Sequence, residues 1–361
     1  MRFLAIFPVV LQHLAERFER NSPVNLHESV DFSFASFVLN RGFIGVYIFF
    51  VISGFILGLP FAASALRGGR KVNLKSYYVR RLTRLEPPYI IAMTIAALAL
   101  LVMGMYSLSE MLPHYSASIF YLHNIIYRKW TFINPPVWTL EIEVQFYIMA
   151  PFLALFIFKI GHVLVRRISL VAFIVGIMLF QQYFDIQERY TNFTILGHLH
   201  YFLIGFFLAD IYLNEWKTEI KKHVVFDFLS ILAFVSLIYS WSWQFPLVNC
   251  IIFSFSLWLL FFSVFKSIWV NRFVTLPWIT AIGGMCYSIY LIHLPITELF
   301  IRITGHLTFS NYYLVNYLIQ LIMLIPVLLC LSIIFYLAIE KPCMYKDWPQ
   351  RFKMFFLKRL A

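Results

Sequence analysis

The opening segment, MRFLAIFPVVLQH, places a cation and an imidazole in a run otherwise suited to lipid. On a helix, eleven residues carry Arg2 and His13 about 16 Å apart along the axis and through about three turns, so both point from one face. An anion site at one end and a base at the other would fit that arrangement. A snorkelling arginine and a hydrogen-bonded packing histidine would fit it too. A second cluster, SYYVRRLTRLEPPY over 76–89, sets Arg80, Arg81 and Arg84 just before a proline pair expected to start a span. Arg81 and Arg84, three apart, face the same way on a helical turn and can chelate a phosphate group, although basic loops commonly serve topology alone. In NPPVWTLEIEVQFYIMAP, over 134–151, Glu141 and Glu143 fall within the first turns of a span. Being two apart they cannot share a face, so one is expected at the headgroups and the other in the bundle interior. Tyr287, Tyr290 and His293 recur every three residues in GGMCYSIYLIHLPI and form one polar seam, by chemistry or by satisfied packing.

These groups have to be positioned by a membrane bundle. Of 361 residues, 61% are hydrophobic and 13% charged, too little charge to cover a soluble domain of this size. The composition therefore predicts an all-α, polytopic membrane protein. Ten apolar segments approach the length of about 20 residues that a bilayer core requires. They lie near 1–17, 42–65, 87–106, 138–158, 168–184, 195–213, 224–242, 246–265, 277–300 and 312–339, with the piece around 114–126 re-entrant or interfacial. With the N-terminus cytoplasmic, only Arg17, Arg20, Arg41, Arg128, Lys129, Arg189 and Arg302 fall outside, of 29 Lys and Arg in all. That bias places both termini in the cytoplasm and accounts for most of the net charge of +12 without a nucleic-acid partner. The expected division is one transmembrane domain over 1–345 and a basic cytoplasmic tail over 346–361. Cys250, Cys286, Cys330 and Cys343 lie in or beside apolar runs without metal-type spacing, so they are expected to be buried and to pack rather than react. Trp130, Trp138, Trp241 and Trp243 are expected in an interfacial belt, with sugar stacking as the alternative.

Charged groups at membrane depth are costly and mark function by default. The topology sorts them into two layers: Arg2, Arg81, Arg84 and Glu340 at the inner face, His13, Glu143 and His293 toward the outer half. A cationic inner mouth suits a phosphate-bearing donor, and a histidine with a carboxylate suits deprotonation of a hydroxyl. Group transfer is therefore the leading expectation. A glycan transporter or flippase with a His/Glu proton relay is the rival, weakened by the clustered arginines and the lack of a detectable repeat.

With those residues in view, the chain resembles the membrane-bound acyltransferase family 3, inner-membrane enzymes of bacteria that O-acylate cell-envelope sugars. The resemblance rests on Arg2 and His13 as Arg-x10-His, GVYIFFVISGF at 45–55, RRLTRLEPPY at 80–89, WTLEIEVQFY at 138–147, and the later CYSIYLIH and IEKP. Thr139 and Cys286 stand where Ser is commoner, and Glu86 where an apolar or aromatic residue is usual. The resemblance implies an acyl-CoA donor, most often acetyl-CoA, no metal, and a hydroxyl acceptor on a lipid-linked or polymer glycan such as lipopolysaccharide O-antigen or exopolysaccharide. It singles out Glu143 over Glu141. Arg2, His13 and Glu143 would then be catalytic, with Glu143 orienting His13; Arg80, Arg81 and Arg84 would bind the donor, and Tyr287, Tyr290 and His293 would support.

Overall fold

A computed structural model describes residues 1–22, 29–186, 190–216, 220–242, 244–345 and Trp348; the basic tail apart from Trp348, together with Arg189, Lys217 and Trp243, lies outside them. Helix occupies all ten predicted segments, and no strand occurs among the described residues. The order is α1 (Arg2–Asn21), α2 (Phe32–Leu39), α3 (Ile44–Arg67), α4 (Leu74–Val102), α5 (Leu108–Ile119), α6 (His123–Tyr127), α7 (Trp138–Phe158) and α8 (Val163–Tyr183). There follow α9 (Leu199–Glu215), α10 (Val225–Ser240), α11 (Leu247–Lys266), α12 (Trp269–Val274), α13 (Pro277–Gly284), α14 (Cys286–Thr304) and α15 (Tyr313–Phe335). A π-turn, Tyr336–Glu340, leads into α16 (Lys341–Cys343).

Seven helical stretches among the described residues are long and apolar enough to cross a membrane, which makes this a multi-pass membrane protein: Phe32–Arg67, Leu74–Val102, Pro135–Phe158, Val163–Tyr183, Leu247–Lys266, Cys286–Thr304 and Tyr313–Cys343. The other three predicted spans fall short for separate reasons. α9 and α10 have 17 and 16 residues, and α1 carries Arg2, Glu16, Arg17, Glu19 and Arg20. α9 is nonetheless buried along most of its length, at the centre of the bundle.

Two boundaries differ from expectation in a way that matters for the site. α4 begins at Leu74, where Asn73 Oδ1 caps the Ser76 amide, so Arg80, Arg81 and Arg84 sit on a continuous helix that runs through Pro87 and Pro88. Those prolines leave the Thr83 and Arg84 carbonyls without their usual intrahelical donors. The segment expected over 277–300 is broken at Met285 into α13 and α14.

The motif at 45–55 has a packing explanation. α3 lies between α1, α7 and α9, and it approaches two of them backbone to backbone. A Cβ on Gly45 would sit 2.0 Å from the Ala5 carbonyl oxygen of α1, and one on Gly54 would sit 2.0 Å from that of Phe202 in α9. No side chain fits at either place. Elsewhere the bundle is tied by paired charge: Arg166 and Arg167 of α8 bracket Asp210 of α9 at 2.6 and 2.7 Å, and at the opposite end Arg17 of α1 meets Glu298 of α14 at 2.7 Å.

Gly54→Ala should therefore force α3 and α9 apart and lower stability by about 1–3 kcal/mol or more. Gly176→Ala, where a Cβ meets nothing within 4 Å, should leave the thermal unfolding midpoint of the detergent-solubilised protein unchanged. Equal midpoints for the two variants would contradict the close-approach explanation.

Candidate active site

One cavity of about 150 Å³ gathers most of the residues singled out from the sequence. Its wall carries Arg2, His13, Arg81, Arg84, Glu143, Tyr287 and Tyr290, together with Trp138, Thr139 and Glu340. Arg2 and His13 share the α1 face that lines it, as their spacing requires. Two of the nominated residues are not on that wall. Arg80 is exposed on the far side of α4. His293 is fully buried behind it, with its ring 5.2 Å from that of His13.

At one end, Arg81 stands over the Tyr77 and Tyr147 rings at 5.9 and 5.7 Å. Tyr77 and Tyr78 donate to the carbonyls of Tyr147 and Ile148, fastening the first turns of α4 to α7. Arg84 and Arg2 lie within Coulomb reach of one another and of Glu340. Glu340 enters the wall because the π-turn before Pro342 rotates it inward, where its Oε2 accepts from the Ser288 amide at 3.0 Å and hydroxyl at 2.5 Å. The IEKP signature thus has a local cause. Three cations and one half-satisfied carboxylate leave this end net positive, which suits phosphate.

Toward the other end, Glu143 accepts from the Ser53 hydroxyl of α3. It is not the carboxylate that meets His13: His13 Nδ1 lies 3.2 Å from Glu16 Oε2, on its own helix. That corrects the expectation that Glu143 orients His13. Glu16 was missed although the signal, an i,i+3 pair, stood in the sequence. His293 donates Nδ1–H to the Tyr290 carbonyl at 2.8 Å, and its Nε2 has no hydrogen-bond partner among the described residues.

Glu141 does not face the headgroups. It is fully buried and turned away from the cavity, and its Oε2 accepts the Asn124 amide at 2.8 Å at the start of α6. Its work is to hold the 107–137 connection. In that connection, outside the spans, His123 donates to the Lys129 carbonyl and accepts from His114 at 2.8 Å. Burial, then the neighbouring His114, push the His123 imidazole down to about 4, so the pair is uncharged at neutral pH. The tyrosine seam is also anchored to backbone: Tyr287 donates to the Leu85 carbonyl within the proline-containing turn at 2.9 Å, and Tyr290 to that of Pro136 at 2.7 Å. Both hydroxyls position neighbours of the cavity.

The tryptophans are not one belt. Trp138 lines the cavity, Trp241 is buried and stacked on Phe43 at 6.0 Å, and Trp130 is half exposed. Of the cysteines, Cys286 is buried on the cavity wall and Cys330 is exposed, the latter against expectation. Among the described residues, no three His, Cys, Asp or Glu gather to hold a metal ion.

A family model described as an acyltransferase domain matches residues 1–337. The chain belongs to that family. The protein is 27% identical over 287 residues to a Staphylococcus aureus (strain COL) protein whose name reads "Putative O-acetyltransferase", covering 72% of this chain and 46% of the relative. It is 27% identical over 281 residues to O-acetyltransferase OatA of S. aureus strain NCTC 8325, with the same coverage. This acyltransferase-family chain thus spans about half the length of the curated relatives it matches. No solved structure matches it.

The two carboxylates of the family's Trp-containing motif should separate by experiment. Glu141→Ala leaves the buried Asn124 amide without its acceptor and should lower stability by about 1–3 kcal/mol. Glu143→Gln, which keeps the volume and an acceptor for Ser53, should leave the thermal midpoint near wild type. A larger fall for Glu143→Gln would overturn this division of roles.

Proposed function

We propose that the protein is an O-acetyltransferase of a bacterial inner membrane, which takes an acetyl group from acetyl-CoA at the arginine-lined end of the cavity and gives it to a hydroxyl of a cell-envelope glycan at the His13 end. The observation that carries this reading is the single cavity on which Arg2, Arg81 and Arg84 meet His13 and Glu143. The names of the relatives support the acyl group, and the bias of Lys and Arg supports a cytoplasmic arginine end.

In this account the phosphates of the donor sit on Arg81 and Arg84, with Arg2 farther along the wall. The axial separation of Arg2 and His13, about 16 Å, is comparable to the reach of a pantetheine arm. His13 then accepts the proton of the acceptor hydroxyl, the hydroxyl oxygen bonds to the acetyl carbonyl carbon, and the carbon–sulfur bond breaks. The proton passes from His13 to the departing thiolate. General-base catalysis of this kind is worth about 10²–10⁴-fold.

Membranes supplied with radiolabelled acetyl-CoA and envelope glycan should place base-labile label on the glycan. His13→Ala should lower that transfer by at least about 100-fold. Arg84→Ala, removing a charged phosphate partner worth about 1.5–3 kcal/mol, should raise the acetyl-CoA requirement about tenfold or more. Full ester formation by His13→Ala would sink the base assignment. Absence of transfer by wild type, with glycan still crossing the membrane, would favour the transporter instead.

A further inference from the structure

The reading above needs an unprotonated ring nitrogen of His13 facing the acceptor, and α1 itself carries the group that decides which nitrogen that is. We propose that Glu16, held in place by Gln12, is the positioning carboxylate of His13, fixing the proton on Nδ1 and leaving Nε2 as the base toward the cavity.

The geometry assigns one partner to each oxygen of the carboxylate. Gln12 Nε2 donates to Glu16 Oε1 at 2.9 Å, and Glu16 Oε2 faces His13 Nδ1 at 3.2 Å. A carboxylate only accepts hydrogen bonds, so Nδ1 must carry the hydrogen and Nε2 the lone pair. Gln12 is buried and lines the same cavity as His13, which keeps the donor that clamps Glu16 out of competition with water. The side chains of His13 and Glu16 are 12% and 26% exposed, enclosed enough for the charge of one to act on the other. All three residues lie at i, i+1 and i+4 on one helix, so their mutual placement is set by helix geometry alone.

The other charged and titratable neighbours do not do this work. His293 of α14 packs its ring 5.2 Å from His13 and offers no negative charge. Arg17 follows Glu16 in sequence but is ion-paired with Glu298 at 2.7 Å. Glu143, on α7, is engaged by Ser53. Protonated His13 would therefore stand beside a second imidazole and an arginine, and Glu16 is the carboxylate placed to offset them.

The test rests on the function proposed above but has a readout independent of it. Diethyl pyrocarbonate modifies neutral imidazole, and mass spectrometry of the full chain in detergent gives the pH at which His13 is half modified. Glu16→Gln should move that midpoint to lower pH, and Glu16→Asp should restore most of the wild-type behaviour. In the transfer assay, Glu16→Gln should lower kcat at neutral pH at least about tenfold, displace the acid limb of the rate–pH profile to lower pH, and leave the acetyl-CoA KM unchanged. An unmoved His13 midpoint in Glu16→Gln would overturn the proposal, as would a loss of rate matched by an equal loss of folded protein. If wild type transfers no label, the acetyltransferase reading fails, and the modification midpoint still decides the His13–Glu16 pair.

Discussion

The site depends on how closely α1 can lie against α3. α1 packs into the core while bearing five charged side chains, and only one of its faces can be turned to a polar cavity. The contact at Gly45, where the Ala5 carbonyl takes the space of a side chain, fixes the rotation of α1 about its axis. With that rotation set, Arg2, Gln12 and His13 all reach the cavity wall, and Val9, Leu14 and Phe18 are buried in the core. Gly54 repeats the device one helix farther in, against Phe202 of α9. A membrane bundle has little hydrophobic drive between its helices, so backbone approach through small residues is a main source of its rigidity. The same contacts that stabilise the bundle therefore hold the two ends of the cavity in register.

Carboxylates in the low-dielectric interior each require a partner, and their partners separate architecture from chemistry. Asp210 is enclosed by two arginines, and Glu141 accepts a backbone amide. Neither lines the cavity. Glu143, Glu340 and the His13 that Glu16 supports all do. The result is a wall with opposite chemical ends, cationic where α4, α14 and the π-turn converge and basic where α1 meets α3 and α7.

Much of this was legible in the sequence because helix periodicity is rigid. Eleven residues from Arg2 to His13 specify a shared face, and three from Arg81 to Arg84 do the same, wherever the helices end up. What periodicity cannot supply is the rotation of one helix against another. The sequence alone left Glu141 and Glu143 to be divided by resemblance; the bundle divides them because Asn124 lies on one side of α7 and Ser53 on the other. Arg80 shares a motif with Arg81 and yet points to solvent, since one residue on a helix is a rotation of about 100°. Glu340 was placed from the sequence at the inner face with Arg2, Arg81 and Arg84, but its hydrogen bonds to Ser288 were not legible, because a π-turn shifts the register by one residue. The proline pair invited a helix start at 87, whereas the tyrosine tethers to α7 and Leu85 hold the helix through it.

The central claim is that donor and acceptor meet in one cavity from opposite ends. Sealed vesicles of the two orientations, given membrane-impermeant radiolabelled acetyl-CoA on one side only, test it directly. Label should reach the glycan when acetyl-CoA is on the side of Arg81 and Arg84 and be absent when it is on the side of His13. Equal labelling from both sides, or labelling from the His13 side alone, would contradict the account.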